Sequence, residues 1–186
     1  EEPEDGVAEI AVGLGKYIVD GGLSLRFSPR HADKVLQTST LDLALRDTQT
    51  RFYAIDMKRG ADAEFKVDDS FNISKLRIQD VASTGALRYM VSTYDFRDQV
   101  IRDCDEGDGR RVVTFANVLQ HGVFPLAPIV DFMLTKGQDE MGRPVEIEFA
   151  GVLTPDNKDS KGTLYWLQIR PIVERKDIVD AVSYTH

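Results

Sequence analysis

Two stretches near the C-terminal end constrain this chain more than any others. Val145-Glu146-Ile147-Glu148-Phe149 alternates apolar and acidic residues, the period-two pattern of a strand with one buried face. Thr163 to Arg170 has the β-branched and aromatic content of a second strand. The eight residues between them, Pro155-Asp156-Asn157-Lys158-Asp159-Ser160-Lys161-Gly162, are turn-forming and solvated. The pattern predicts an antiparallel hairpin centred on Lys158. That centre sets the register, with Glu148 opposite Gln168 and Glu146 opposite Arg170. All four then share one face, because residues two apart on a strand point the same way. The same arithmetic puts Val145, Ile147, Phe149 and Leu153 on the opposite face with Tyr165, Leu167 and Ile169, as a core. It leaves Ala150, Val152, Leu164 and Trp166 beside the charged face.

Two carboxylates, an amide and a guanidinium on one face admit two readings. The plainer one is a solvated surface with a cross-strand Glu146–Arg170 pair, a weak interaction in water. The other is a platform for a magnesium–phosphate group. Magnesium takes one or two protein carboxylates and completes its shell with phosphate oxygens and water. A planar arginine fork suits a phosphoryl group in transfer.

The rest of the chain reads as α+β, richer in strand than helix. Val7 to Val12 suits a strand, and glycines at 13, 15, 21 and 22 bracket a short helix or turn. Arg51 to Asp56 and Val112 to Val118 have strand composition, and residues 60–75 read as a polar loop. Leu76, Ile78 and Val81, then Leu87, Tyr89 and Val91, suggest two strands around a turn at Ser83-Thr84-Gly85. One helix is well marked. Pro125 and Pro128 fit its first turn, Leu126, Ile129, Val130, Met133 and Leu134 repeat at helical spacing, and Gly142 is placed to end it. Gly137 weakens that pattern, since an interior glycine costs about 1 kcal/mol relative to alanine.

Composition narrows the partners. Lysine and arginine number 23 against 31 aspartates and glutamates, a formal charge of −8. Such a field repels phosphate, so neither a nucleic acid nor an anionic membrane surface is expected as a partner. No apolar run approaches the roughly 18 residues of a transmembrane helix. Cys104 is the sole cysteine, which excludes an intrachain disulfide and fits a reducing cytoplasm. It lies between aspartates that oppose thiolate formation, a poor setting for a nucleophile. The acidic start, Glu1-Glu2-Pro3-Glu4-Asp5-Gly6, lacks the basic and apolar regions of a secretory signal and an initiator methionine, and reads as the edge of a piece of a longer protein.

Gly142-Arg143-Pro144-x-Glu146-Ile147-Glu148-Phe149-Ala150 followed by Leu167-Gln168-Ile169-Arg170-Pro171 resembles the end of the nucleotide-binding domain of phosphoenolpyruvate synthases and pyruvate phosphate dikinases. Gly13-Leu14-Gly15 with Gly21, then Ser28-Pro29, is similar to that family's glycine segment and the proline-containing strand start after it. The likeness spans residues 8–30 and 125–173. It implies a partial ATP-grasp lobe holding ATP and Mg, with Glu148 as principal metal ligand and Glu146 as an accessory one. It further implies Gln168 on a phosphate oxygen and Arg170 on the transferring phosphoryl charge. Glu146 stands where the family usually has aspartate, and Lys16 where it has glutamate. About 58–124 reads as a β-rich elaboration inside a domain running 1–186.

By this resemblance the parent enzyme uses ATP to phosphorylate a histidine on a separate phosphohistidine domain, which carries the group to a pyruvate-binding domain. Neither domain's motifs occur in this chain, and His31, His121 and His186 read as ordinary surface or half-buried histidines. The fragment alone is therefore expected to be inactive. The alternatives are a non-catalytic binding module with a vestigial ATP face and a related dikinase with another acceptor.

Overall fold

The computed structural model describes residues 5–55, 72–82, 85–154 and 156–172. The chain is α+β, and the described residues form four small antiparallel sheets around one long helix. β1 (Ala8–Ile10) pairs with β2 (Leu25–Phe27), and between them lies the short helix α1 (Lys16–Val19). After helix α2 (Leu41–Arg46), β3 (Arg51–Ile55) pairs with β4 (Ile73–Arg77). A three-stranded sheet places β5 (Val91–Asp95) between β6 (Val100–Arg102) and β7 (Arg110–Val113). Helices α3 (Ala116–Leu119) and α4 (Leu126–Met141) lead to β8 (Val145–Leu153) and β9 (Gly162–Pro171). Among the described residues no helix is long and apolar enough to cross a membrane.

Helix α4 organises the molecule. Leu126, Ala127, Val130 and Met133 are buried at helical spacing, and the first three join β1, β2, β5, β7 and α3 in one apolar core. Pro125 and Pro128 sit where amide hydrogens have no intrahelical acceptor, so neither costs a hydrogen bond. Gly142 ends the helix at φ 64°, its N–H bonded to the Gln138 carbonyl at 2.9 Å, a left-handed cap that suits glycine. Gly137 has a packing reason. A Cβ there would lie 2.6 Å from Ile169 Cδ1 and 3.1 Å from Val145 Cγ2, so its absence lets the β8–β9 ribbon rest directly on the helix.

The region read as an elaboration shares that core. Ile78, Val91, Val113, Phe115 and Val118 are buried with Phe27 and Val130 in a single cluster.

Four expected elements differ. Leu76 lies in β4, but Ile78 opens a 3₁₀ turn, and Leu87 and Tyr89 lie in another, Gly85–Tyr89. Leu87 and Met90 both pack on the core, and a spacing of three is the 3₁₀ period rather than a strand's. Ser83 and Thr84 of the expected turn, and residues 60–71 of the loop expected over 60–75, lie outside the described residues, while the end of that loop is strand, the start of β4. The run from Val112 to Val118 divides where Phe115 adopts φ 52° and α3 begins. Its N–H reaches the Met90 carbonyl at 3.0 Å, a tertiary bond that no local pattern reveals. Ser28-Pro29 closes β2 instead of opening a strand, because Pro29 starts a 3₁₀ turn.

Candidate functional site

The β8–β9 hairpin has the expected register at its charged end. Glu146 faces Arg170 and Glu148 faces Gln168. Arg170 grips Glu146 with a two-pronged contact, Nε to Oε2 at 2.9 Å and Nη2 to Oε1 at 2.9 Å. Both side chains are solvated, 56% and 53% exposed. The paired hydrogen bonds hold the Glu146 carboxyl below its ordinary range and push the Arg170 guanidinium up, with Glu148 adding to the latter through its charge. Among the described residues the side chains of Glu148 and Gln168 have no hydrogen-bond partner.

Towards the turn the register moves by one. Glu148 pairs with Gln168 but Phe149 pairs with Trp166, leaving Leu167 as the extra residue of a bulge. This corrects the expected faces. Leu164, read as lying beside the charges, packs on the core with Phe149 and Leu153, while Tyr165, read as core, is 51% exposed. A strand's faces alternate, so one inserted residue exchanges them for everything beyond it.

The glycine segment is shaped by β3. Leu14 N–H donates to the Tyr53 carbonyl at 3.1 Å, and Gly13 at φ 93° lies so close that a Cβ would be 2.6 Å from that oxygen. Lys16, which replaces an acidic residue of the resembled pattern, pairs with Asp20 at 3.1 Å. That contact is the main cause holding the Asp20 carboxyl below its usual range.

Residues of both segments line one cavity of about 530 Å³, with Glu146 and Glu148 on one side and Gly15, Ile18 and Val19 on another. Glu9 and Arg26 border it as well, opposite each other in the β1–β2 register and paired at 3.2 Å. Neither was singled out from sequence, although Glu9 at an outward position of a predicted strand was a usable signal.

For a metal, the donor set on the ribbon is two hard carboxylates two residues apart. Among the described residues no group of three or more potential ligands gathers. That set fits a magnesium ion whose remaining shell comes from phosphates and water and does not suit a fully protein-bound ion. Of the two, Glu148 has its oxygens uncommitted among the described residues, whereas Glu146 is occupied by Arg170. The adjacent cations Arg110 and Arg111 are engaged in contacts away from this cavity. Arg110 donates to the Leu45 carbonyl, and Arg111 to Asp105. His31 and His121 stand beside Asp5 and Asp103 at 3.5 and 3.0 Å, and His186 lies outside the described residues.

The charged segment from Asp103 into β7 is partly internal. Ser92 Oγ donates to Asp103 Oδ1 at 2.9 Å, and Asp105 is buried against Arg111 at 2.6 Å. No family model matches this chain, and neither a curated protein nor a solved structure matches it.

Proposed function

We propose that this chain is part of the ATP-binding, ATP-grasp-type lobe of a phosphoenolpyruvate synthase-like dikinase, acting with Mg and with phosphohistidine and pyruvate-binding domains beyond it. The observation that carries the reading is the hairpin face. Glu146, Glu148, Gln168 and Arg170 stand together on it, and Glu148 and Gln168 spend none of their side-chain hydrogen-bonding capacity on the described residues. Further support comes from the cavity that the glycine segment and this hairpin line in common.

In this reading Glu148 is the main carboxylate for magnesium, and the metal supplies charge neutralisation on the nucleotide's phosphates. Gln168 donates its amide hydrogens to a phosphate oxygen. Arg170 stabilises charge on the phosphoryl group in transfer, and Glu146 orients its guanidinium beforehand. Such preorganisation lets a hydrogen-bond donor act without rearranging at the moment of reaction. Phosphoryl transfer depends on positioning and electrostatics from both walls of a cleft, so the isolated chain binds MgATP weakly and turns nothing over.

The test is nucleotide binding by titration calorimetry with and without magnesium, on this chain and on its Glu148→Ala form. The reading requires heat that depends on magnesium and a higher magnesium requirement in the variant. In the full-length protein, Arg170→Ala should cut phosphoryl transfer strongly and nucleotide affinity less, the pattern of a group used in the transition state. Unchanged turnover in that variant would return the face to a surface salt bridge.

A further inference from the structure

Among the described residues β1 and β8 each have a single strand partner, β2 and β9. Their other edges border one continuous cleft. Residues 7–9 line its larger chamber with residues 145–149, and residues 9–13 line its smaller chamber, of about 400 Å³, with residues 149–151. The numbers rise together, so the two strands run alongside the cleft in the same direction. Successive side chains of a strand point to opposite faces, so a cavity touched by every consecutive residue follows a strand's edge and not its face.

An edge presents the N–H and C=O groups that pairing on the other side leaves unused. Among the described residues, the backbone of 7–11 and of 145–153 makes no hydrogen bond outside the β1–β2 and β8–β9 ladders. The floor is apolar, formed by Val130, Met133 and Leu134 of α4. Three carboxylates line the larger chamber, Glu9, Glu146 and Glu148. Arg26 neutralises the first and Arg170 the second, and among the described residues Glu148 has no countercharge in contact.

We propose that this cleft binds an extended strand of a partner polypeptide, inserted between β1 and β8 and bonded to both edges. The five residues from 7 to 11 correspond to roughly 16 Å of extended backbone, enough to pair with a segment of about five residues. The apolar floor selects apolar side chains at alternate positions, and Glu148 selects lysine or arginine among the others. Main-chain bonds give such a complex its affinity, and the alternate side chains give it specificity. The proposal shares this cavity and Glu148 with the nucleotide reading, so peptide and nucleotide would compete, but it does not require that reading and is tested without nucleotide or magnesium.

The probe is a capped heptapeptide of alternating valine and lysine, added to the whole chain while amide hydrogen exchange is followed by NMR. Saturable binding that slows exchange at residues 7–11 and 145–151 by about tenfold or more supports the proposal. So does loss of that binding when the peptide's alternate backbone nitrogens are methylated. Charge is checked with Glu148→Lys, which should weaken the lysine peptide and favour its glutamate counterpart. Three outcomes overturn the proposal: no saturable binding, equal binding of the methylated peptide, or amides at both edges already protected in the free chain. Protection independent of dilution would mean that the chain's own residues fill the cleft, and protection lost on dilution that a second copy does.

Discussion

Arg111 meets Asp105 at 2.6 Å and Arg170 meets Glu146 at 2.9 Å, but the first pair is 13% and 4% exposed and the second 56% and 53%. Arg111 also donates to the carbonyls of Ile78, at 3.1 Å, and Val81. It thereby ties the 3₁₀ turn after β4 to the loop before β7. Asp105 Oδ2 has no partner among the described residues. In a low-dielectric setting charge must be compensated within the fold, so the inner pair is committed to structure. The outer pair is solvated and flanked by an uncommitted carboxylate and amide, so it can exchange partners at little cost. Of two similar contacts, the one with less to lose is the better candidate for chemistry.

The comparison breaks if removing the inner arginine is harmless. Arg111→Ala leaves a buried carboxylate without its countercharge and should destabilise the fold by about 3–5 kcal/mol. Urea unfolding would read this as a lower midpoint, and a loss under about 1 kcal/mol would show that water reaches Asp105 freely. Next in size is Gly137→Ala, which forces a methyl group against Ile169 and Val145 and should cost about 1–3 kcal/mol by overpacking. Gly142→Ala meets no neighbour within 4 Å, so only its left-handed backbone opposes it, at about 1 kcal/mol by thermal unfolding. Smallest is Arg170→Ala, whose melting temperature at neutral pH should match that of the unchanged chain.

Acid titration sharpens the same contrast. The folded-state Glu146 carboxyl is held below its ordinary value of 4.5 by Arg170. Its contribution to stability is therefore complete above that value and fades as the pH falls through the lower, folded one. The difference in stability between the chain and Arg170→Ala, small at neutral pH, should vanish in acid. A difference growing below pH 4.5 would contradict this sign.

Local arithmetic made α4 and the charged half of the hairpin legible. The Pro125, Pro128 and Gly142 punctuation acts within a turn, and the register of Glu146 and Glu148 follows from alternation and one turn centre. The bulge was not legible, because an extra residue at Leu167 is a property of the paired ribbon and leaves each strand's alternation looking regular. The burial of Asp105 was hidden for a related reason. Its environment depends on carbonyls at 78 and 81, outside the charged run in which it sits. The meeting of the glycine segment with the hairpin at one cavity likewise belongs to tertiary packing on α4. Glu146, Glu148, Gln168 and Arg170 were visible in the sequence as one face, whereas Glu9, Arg26 and the common setting were not.

The displaced register at Leu167 has a mechanical side. A plain ribbon can slide by two residues and keep both of its faces, at the cost of only its end contacts. Here such a slide would also carry the extra residue to a position where the opposite strand has no matching irregularity. The bulge acts as a detent, resisting shear along the ribbon where the four polar side chains stand.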